Sequence, residues 1–441
     1  MNKVIDKINE NECLNQIGKL LLDGKCEKLN LNGLTDSAKA LIAYALTTAS
    51  SKNGFIVCSN VISANKMIQD LKLFANGIEI IYLPARKLEY YDFEVESMEI
   101  KNARMYAIEK ILSGDKNIVV TTTDGILTKM YPSSAYAGMD LSLSLNDTID
   151  TKDIAEKLIN LGYESTSLVE GKGQFSIRGD IIDIFAINDT VPYRIELFGN
   201  EIDSIRTFDV LTQRSLDRVN SIEISFLSEA KISDAKKEMV ISRLQEFANG
   251  DNIPNELKEN ILKDIEKIKE NLLENIFDKY FELLVEKKSC IIDYLKDYNI
   301  FIDEPERNKQ KAENVVYEND ETLKILTERN YLYIPFANRY YSYEEVLEKI
   351  LKKNNIYLEN IGEVKKSTKR KEFKFDFTDA NFYRNSIDVL LQDIKNAKEK
   401  LKLLIFSTDT RVEQVKNYLI DNKVKVKVIQ NIFSEDYNKD T

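Results

Sequence analysis

The sequence predicts an α/β protein: a parallel-sheet domain, interrupted by an inserted α+β domain with an antiparallel sheet, and followed by a small C-terminal α/β domain. Three observations predict this order. Strand and helix patterns alternate over residues 1–135, closely spaced strands follow within 136–224, and helix and strand patterns alternate again over 375–441. The 441 residues fit such a division, because roughly 100–200 residues per domain is usual.

The first domain is predicted from short apolar runs that alternate with segments of helical spacing. Helical spacing with Met67 and Leu71 on one face predicts a helix, and Gly114 is expected to end another. The predicted strands cover 54–59, 78–84 and 116–127, the last leading into a short helix, and the predicted helices cover 60–74 and 98–114. Alternation at this spacing is typical of a parallel sheet covered by helices.

The inserted domain, 136–224, is predicted from a change in pattern. A helix over 150–163 is followed by a β-branched stretch over 173–185 and by two alternating strands within 191–209. Gly199 and Asn200 separate those two strands and are a strong hairpin-turn signal. An antiparallel sheet is therefore expected here.

The remainder is predicted to return to the first domain, largely helical, over 225–350. One long helix is expected from a three- or four-residue apolar repeat, and 298–306 has the pattern of a buried strand. The repeat consists of Leu257, Ile261, Ile265, Ile268, Leu272 and Ile276. Residues 351–374 are interpreted as a linker with a basic run at 365–371, and 375–441 as a small α/β domain of unknown role.

Composition excludes several kinds of chemistry. Net charge is −11, so a large uniform DNA-binding surface is not expected and protein partners are favoured. The chain has no histidine, which removes histidine bases and the commonest metal ligand. Its four cysteines are scattered, with no C-x-x-C pair, which predicts reduced thiols and no metal site. With no long apolar segment, a cytoplasmic protein is expected.

The stretch NGLTDSAKALIAYAL, residues 32–46, has part of the spacing of a phosphate-binding loop. Gly33 and Lys39 stand where the first glycine and the lysine of G-x-x-x-x-G-K-[ST] stand. Ala38 replaces the second glycine, Ala40 has no hydroxyl for magnesium, and Asp36 would place a carboxylate near the phosphates. The alternative is a plain helix start, with Thr35, Asp36 or Ser37 as the N-cap.

A second motif, like the loop at 32–46, has the form of part of a P-loop ATPase site. The apolar stretch NIFIDE, 299–304, ends in Asp303 and Glu304, which is the form of an acidic magnesium-binding motif. Acidic pairs are common at strand ends, so this signal alone is weak. Together, Gly33, Lys39, Asp303 and Glu304 are interpreted as positions of a degenerate nucleotide site, with no catalytic residue in this chain.

Three stretches resemble the amino-terminal part of the bacterial transcription-repair coupling factor family (Mfd), which is itself similar to the excision-repair helicase subunit UvrB. They are LPARKLEYYDF (83–93), IVVTTTDGILTKMYP (118–132) and the long segment from GQFSIRG to LTQRSL (173–216). The resemblance implies a degenerate P-loop helicase-like domain at 1–135 and 225–350. Residues 92–103 leave no room for the damage-probing hairpin of UvrB.

The resemblance also implies that the insert binds UvrA, the damage-recognition subunit. Arg178 matches an arginine implicated in that contact, and Gln174, Phe175 and Phe185 flank it. Ser176 stands where UvrB has a further arginine. The alternative is that Phe175, Ile177 and Phe185 are sheet core and Arg178 is a solvated edge residue.

The expected function is a non-catalytic amino-terminal module that recruits UvrA to stalled RNA polymerase. By the resemblance, ATP and Mg²⁺ belong to motor domains absent from these residues, as do the regions that bind RNA polymerase and DNA; no cofactor, metal or membrane contact is expected here. Two alternatives stay open: an active UvrB-like ATPase or helicase, and a direct DNA-binding module that uses 365–371.

Overall fold

The parallel domain is built on a seven-stranded sheet. The computed structural model describes residues 11–22, 27–75, 77–88, 90, 97–227, 233–270, 276–360, 370–377, 383, 386–396 and 409–426. The strands of this sheet are β1 (Lys28–Asn32), β2 (Asn53–Cys58), β3 (Glu79–Leu83), β4 (Asn117–Thr122), β13 (Tyr298–Asp303), β14 (Asn355–Leu358) and β15 (Lys371–Lys374). All neighbours are parallel, in the order β15-β1-β14-β13-β2-β4-β3.

The insert forms its own sheet of six strands. They are β6 (Glu164–Ser165), β7 (Gln174–Arg178), β8 (Ile181–Ile184), β9 (Tyr193–Phe198), β10 (Glu201–Phe208) and β11 (Ser215–Val219), in the order β11-β10-β9-β8-β7-β6. All pairs are antiparallel except β6–β7. A two-stranded antiparallel pair, β5 (Asp140–Ser144) and β12 (Ser221–Ser225), also lies in this part of the chain. The predicted α/β architecture with an antiparallel insert is confirmed.

Helices surround both parts. Those of the parallel domain up to the insert are α1 (Glu12–Leu22), α2 (Asp36–Ala49), α3 (Val61–Phe74), α4 (Met98–Ser113) and α5 (Thr123–Leu127); the insert contributes α6 (Thr151–Leu161). After it come α7 (Asp234–Ala248), α8 (Asn255–Lys269), α9 (Ile276–Lys279), α10 (Phe281–Leu284), α11 (Ile291–Tyr294), α12 (Pro305–Glu328), α13 (Ile334–Ala337), α14 (Tyr343–Ile350), α15 (Ile387–Asn396) and α16 (Asp409–Asp421).

Local sequence explains where several elements begin and end. Every residue of β2, β4 and β13 is buried, as expected for central parallel strands with helices on both faces. Gly114 ends α4 in the left-handed conformation with φ 78°. The β9–β10 hairpin turns at Gly199 and Asn200, as predicted, with φ 65° at Gly199.

The central sheet separates two apolar cores. Phe55 and Val57 face one core, while Ile56 and Cys58 face the other, because side chains alternate along a strand. The first core continues without a break into the insert, where it includes Phe175 and other apolar residues of the six-stranded sheet. The insert therefore shares a core with the parallel domain.

The structure differs from the sequence prediction within 351–374. Two strands, β14 and β15, lie in the range that was predicted to be a linker. Each has only four residues, and each pairs with β1 from more than 300 residues away in the chain, so local pattern does not reveal them. Of the basic run, the guanidinium carbon of Arg370 lies 3.3 Å from the ring centroid of Tyr357, and Lys371 Nζ lies 2.8 Å from Glu27 Oε2.

The structure covers only part of the predicted long helix at 257–276 and of the predicted domain at 375–441. Helix α8 carries the predicted apolar stripe from Leu257 to Ile268 and ends at Lys269. The predicted helix therefore does not continue to Ile276, which begins α9. Leu272 lies outside the described residues. Of the predicted domain at 375–441, two helices are described, and Leu390 and Leu391 of α15 pack on Val415 and Leu419 of α16. Its strands were expected at KLLIFSTD (402–409) and KVKVKVIQ (423–430). Residues 402–408 and 427–430 lie outside the described residues, Asp409 begins α16, and 423–426 form no strand.

Candidate functional site

Arg178 lies at the end of β7, beside the tight turn that leads into β8. Gly179 in this turn has φ 62°, a conformation that favours glycine. The Arg178 side chain is 45% exposed, and its Nη2 donates a hydrogen bond of 2.6 Å to Asp183 Oδ2. The guanidinium is therefore fixed at one edge and open to solvent at the other.

Asp183 is the buried carboxylate at the centre of this site. It also accepts hydrogen bonds from Arg194 Nε at 2.7 Å and Arg194 Nη2 at 2.8 Å. The hydrogen bonds to Asp183 raise the pKa of Arg194, outweighing the opposite effect of burial. The Arg194 guanidinium also lies 4.6 Å from the centroid of the Phe208 ring. One buried acid thus orients two arginines.

The predicted neighbours of Arg178 have different surroundings. Phe175 is buried in the main core, and Phe185 is buried in a small separate cluster with Val169 and Phe208. Gln174 Oε1 accepts hydrogen bonds from the backbone N–H groups of Glu170 and Gly171 and so closes the loop before β7. Burial of both rings means that they support the surface around Arg178 rather than being presented on it.

Sequence reasoning missed the other arginines of this sheet. Ser176, at the position of the second UvrB arginine, is buried and donates a hydrogen bond to Ser167 O. Arg194, Arg206 and Arg218 stand opposite one another on β9, β10 and β11. The signal available in the sequence was the alternation of these strands, combined with the register that the Gly199 turn fixes.

The second candidate site is the loop between β1 and α2, at the carboxyl ends of the parallel strands. Lys39, in the first turns of α2, is brought to Asp303 and Glu304 at the end of β13. Lys39 Nζ lies 2.6 Å from Asp303 Oδ1 and 2.6 Å from Glu304 Oε1, and the lysine side chain is only 3% exposed. The one lysine thus pairs with both acids and balances one of their two negative charges.

The electrostatics of this cluster favour the charged lysine. Burial alone would lower the pKa of Lys39, but the charge of Asp303 and hydrogen bonds to Asp303 and Glu304 outweigh it, so its pKa is raised. Burial raises the pKa of Asp303, an effect that Lys39 opposes. Glu304 has φ 54° and is held by Lys39 and by the backbone N–H of Asn360, which donates to Glu304 Oε1 at 2.8 Å.

The loop itself is covered by the chain that follows β15. The N–H of Phe375 donates to Asn32 O at 2.8 Å, and a Cβ on Gly33 would lie 2.0 Å from the Phe375 carbonyl oxygen. Thr35 is the N-cap of α2 without a side-chain cap bond, and Asp36 pairs with Lys66. The lysine and the glycine of this loop are therefore both in close contact with other parts of the chain.

Within the described residues, no cluster of three or more cysteine, aspartate or glutamate side chains is placed to hold a metal ion. No helix in the described ranges is long and apolar enough to cross a membrane.

Comparison with known proteins extends this picture. Residues 141–229 match a family model described as the UvrB interaction domain. A transcription-repair-coupling factor of Staphylococcus epidermidis is 27% identical over an alignment of 440 residues, covering 93% of this chain and 35% of that protein. One of Bacillus subtilis is 29% identical, covering 74% of this chain and 28% of its own length. One of Staphylococcus aureus is 30% identical, covering 68% and 26%.

These alignments cover most of this chain but only a part of each relative. The chain spans about a third or less of the length of these curated relatives. Their shared name and the family match nevertheless agree with each other and with the architecture, because the matched range contains the whole six-stranded sheet. The chain is thus a relative of the transcription-repair-coupling factors, similar to a part of them, and it contains a UvrB interaction domain at residues 141–229.

Proposed function

We propose that this chain is a non-catalytic recruitment module that binds UvrA through its inserted domain and so brings nucleotide excision repair to stalled RNA polymerase. The observation that carries the proposal is the position of Arg178, half-exposed within the matched UvrB interaction domain. A planar guanidinium held on one side by Asp183 keeps its other donors free for a carboxylate of a partner. By this proposal the module acts in the cytoplasm.

A UvrA pull-down with the purified chain tests this function. Wild type is expected to retain UvrA, and Arg178→Ala to weaken binding about tenfold, which is typical of an arginine at the centre of an interface. Arg178→Lys should recover only part of the loss, since an ammonium cannot make the forked contact. Arg243→Ala, an exposed arginine on α7, is the matched control and should bind as wild type does. No binding by wild type would overturn the proposal.

The proposal that the module is non-catalytic is supported by the loop around Lys39. Lys39 is engaged with Asp303 and Glu304, Ala40 offers no hydroxyl to a metal, and the chain after β15 covers Gly33. ATP and Mg²⁺, together with contacts to RNA polymerase and DNA, belong by this proposal to other regions of the full-length relatives. Micromolar ATP binding that is lost in Lys39→Ala would instead support an active UvrB-like ATPase.

The described structure gives no observation that favours the DNA-binding alternative. Arg370 is packed on Tyr357 and donates to Leu29 O at 3.2 Å, and Lys371 pairs with Glu27. The rest of the basic run, residues 365–369, lies outside the described residues.

A further inference from the structure

A row of charged side chains crosses the six-stranded sheet on the face opposite its apolar core. In register, Asp183 on β8 stands opposite Arg194 on β9, Arg194 opposite Arg206 on β10, and Arg206 opposite Arg218 on edge strand β11. Directly opposed residues of antiparallel strands project from the same face, so these four side chains form one row. We call this row, together with Arg178, the arginine face.

Positive charge on the arginine face exceeds the negative charge that could balance it. Asp183 is shared by Arg178 and Arg194. Glu196 lies 3.9 Å from Arg206 Nη2, at the limit of an ion pair. The buried Nε of Arg206 has no acceptor among the described residues. Four guanidinium groups therefore face two carboxylates, within a chain whose net charge is −11.

Exposure increases along the row from its centre to the edge of the sheet. Asp183 is fully buried and Arg194 largely so, Arg206 is partly exposed, and Arg218 on the edge strand is exposed. The buried acid thus orients the inner arginine, Arg206 is only partly open to solvent, and Arg218 is exposed. Arg218 is therefore the arginine of this row that is most accessible to a partner.

We propose that the partner surface extends beyond Arg178 across β10 and β11, and that Arg206 and Arg218 dock an acidic protein surface. This inference rests on the proposed function, in which the docked protein is UvrA. Charge complementarity favours a protein over nucleic acid, because a mainly acidic protein surface can still place a basic group against Glu196, whereas a phosphate backbone is uniformly negative. Leu216, two residues before Arg218 on β11, is 54% exposed and adds apolar contact area typical of protein interfaces.

The test measures association and dissociation rates of UvrA with the intact chain at several salt concentrations. Arg218→Glu, at an exposed edge position, should slow association about fivefold and flatten its salt dependence. Arg206→Gln, which avoids placing a new acid beside Glu196, should weaken binding through faster dissociation. Arg243→Glu on α7 carries the same change in charge as Arg218→Glu outside the face and is the control. Circular dichroism checks that each variant is folded.

The outcomes separate the two proposals. If wild type binds UvrA and Arg178→Ala weakens it, while Arg206→Gln and Arg218→Glu match the control, the proposed function stands and the extended face is wrong. If wild type does not bind UvrA, the proposed function is wrong, and the inference that rests on it is wrong with it. If the two variants lose binding to a duplex DNA probe rather than to UvrA, the face serves nucleic acid and the inference is overturned.

Discussion

Lys39 and Lys66 each form an ion pair with an aspartate, with 2.6 Å between the lysine Nζ and a carboxylate oxygen. Only the pair of Lys39 is buried. Lys39 and Asp303 are 3% and 12% exposed, whereas Lys66 and Asp36 are 55% and 51% exposed. Removing one partner of a buried pair leaves an uncompensated charge and costs about 3 kcal/mol, while an exposed pair is worth less than about 1 kcal/mol. In urea unfolding, Lys39→Met should therefore lower the free energy of unfolding strongly, and Lys66→Met should leave it almost unchanged.

The pH dependence gives the Lys39 prediction a second readout. Without Lys39, the charge and the hydrogen bond that lower the pKa of Asp303 are lost, while burial still raises it. A carboxyl with a raised pKa binds more protons when folded than when unfolded, so stability falls as the pH rises. The destabilisation of Lys39→Met should be smaller near about pH 5 than near about pH 8. A deficit that is equal at both values would contradict this account.

At the scale of elements, β15 and the residue after it cover the loop that begins at Gly33. Alanine at Gly33 would strain a φ of 82° and place its Cβ 2.0 Å from the Phe375 carbonyl. Gly138→Ala is the matched control, because Gly138 has φ 72° but no atom lies within 4 Å of the position that a Cβ would take there. Both changes should cost about 1–2 kcal/mol for the left-handed backbone, and Gly33→Ala should cost more.

Hydrogen exchange distinguishes a local clash from detachment of this strand. The N–H of Phe375 donates to Asn32 O and that of Phe377 to Gly33 O. In Gly33→Ala, peptides covering residues 370–377 should lose protection that Gly138→Ala retains. Unchanged protection in both variants would show that β15 can shift and remain paired.

The sequence reveals these elements unequally. Strands such as β2, β4 and β13 were predictable because every residue is buried and the apolar run is continuous. Strands β14 and β15 were not, since four residues carry little pattern and their partner β1 is distant in the chain. In the same way Arg178 could be singled out from a motif, whereas Arg206 and Arg218 become neighbours only through the register of three strands.

At the scale of the whole molecule, the parallel sheet lies between two cores, and among the described residues each core contains one buried thiol. Cys58 lies in the core that includes Leu29 and Leu31, and Cys290 lies in the core that continues into the insert. Burial raises the pKa of the Cys290 thiol to about 12 and also raises that of Cys58. Neither thiol should react with a disulfide reagent near about pH 8 while the protein is folded.

Because both cores are formed on the same strands, we expect them to unfold together. Two variants, one retaining only Cys58 and one only Cys290, with alanine at the other cysteines, would each be compared with its own urea transition followed by circular dichroism. In both, thiol reactivity should appear at the midpoint at which helical signal is lost, as a single cooperative transition requires. If Cys290 reacts at lower urea than Cys58, the core shared with the insert opens first, and the sheet does not hold the two cores as one unit.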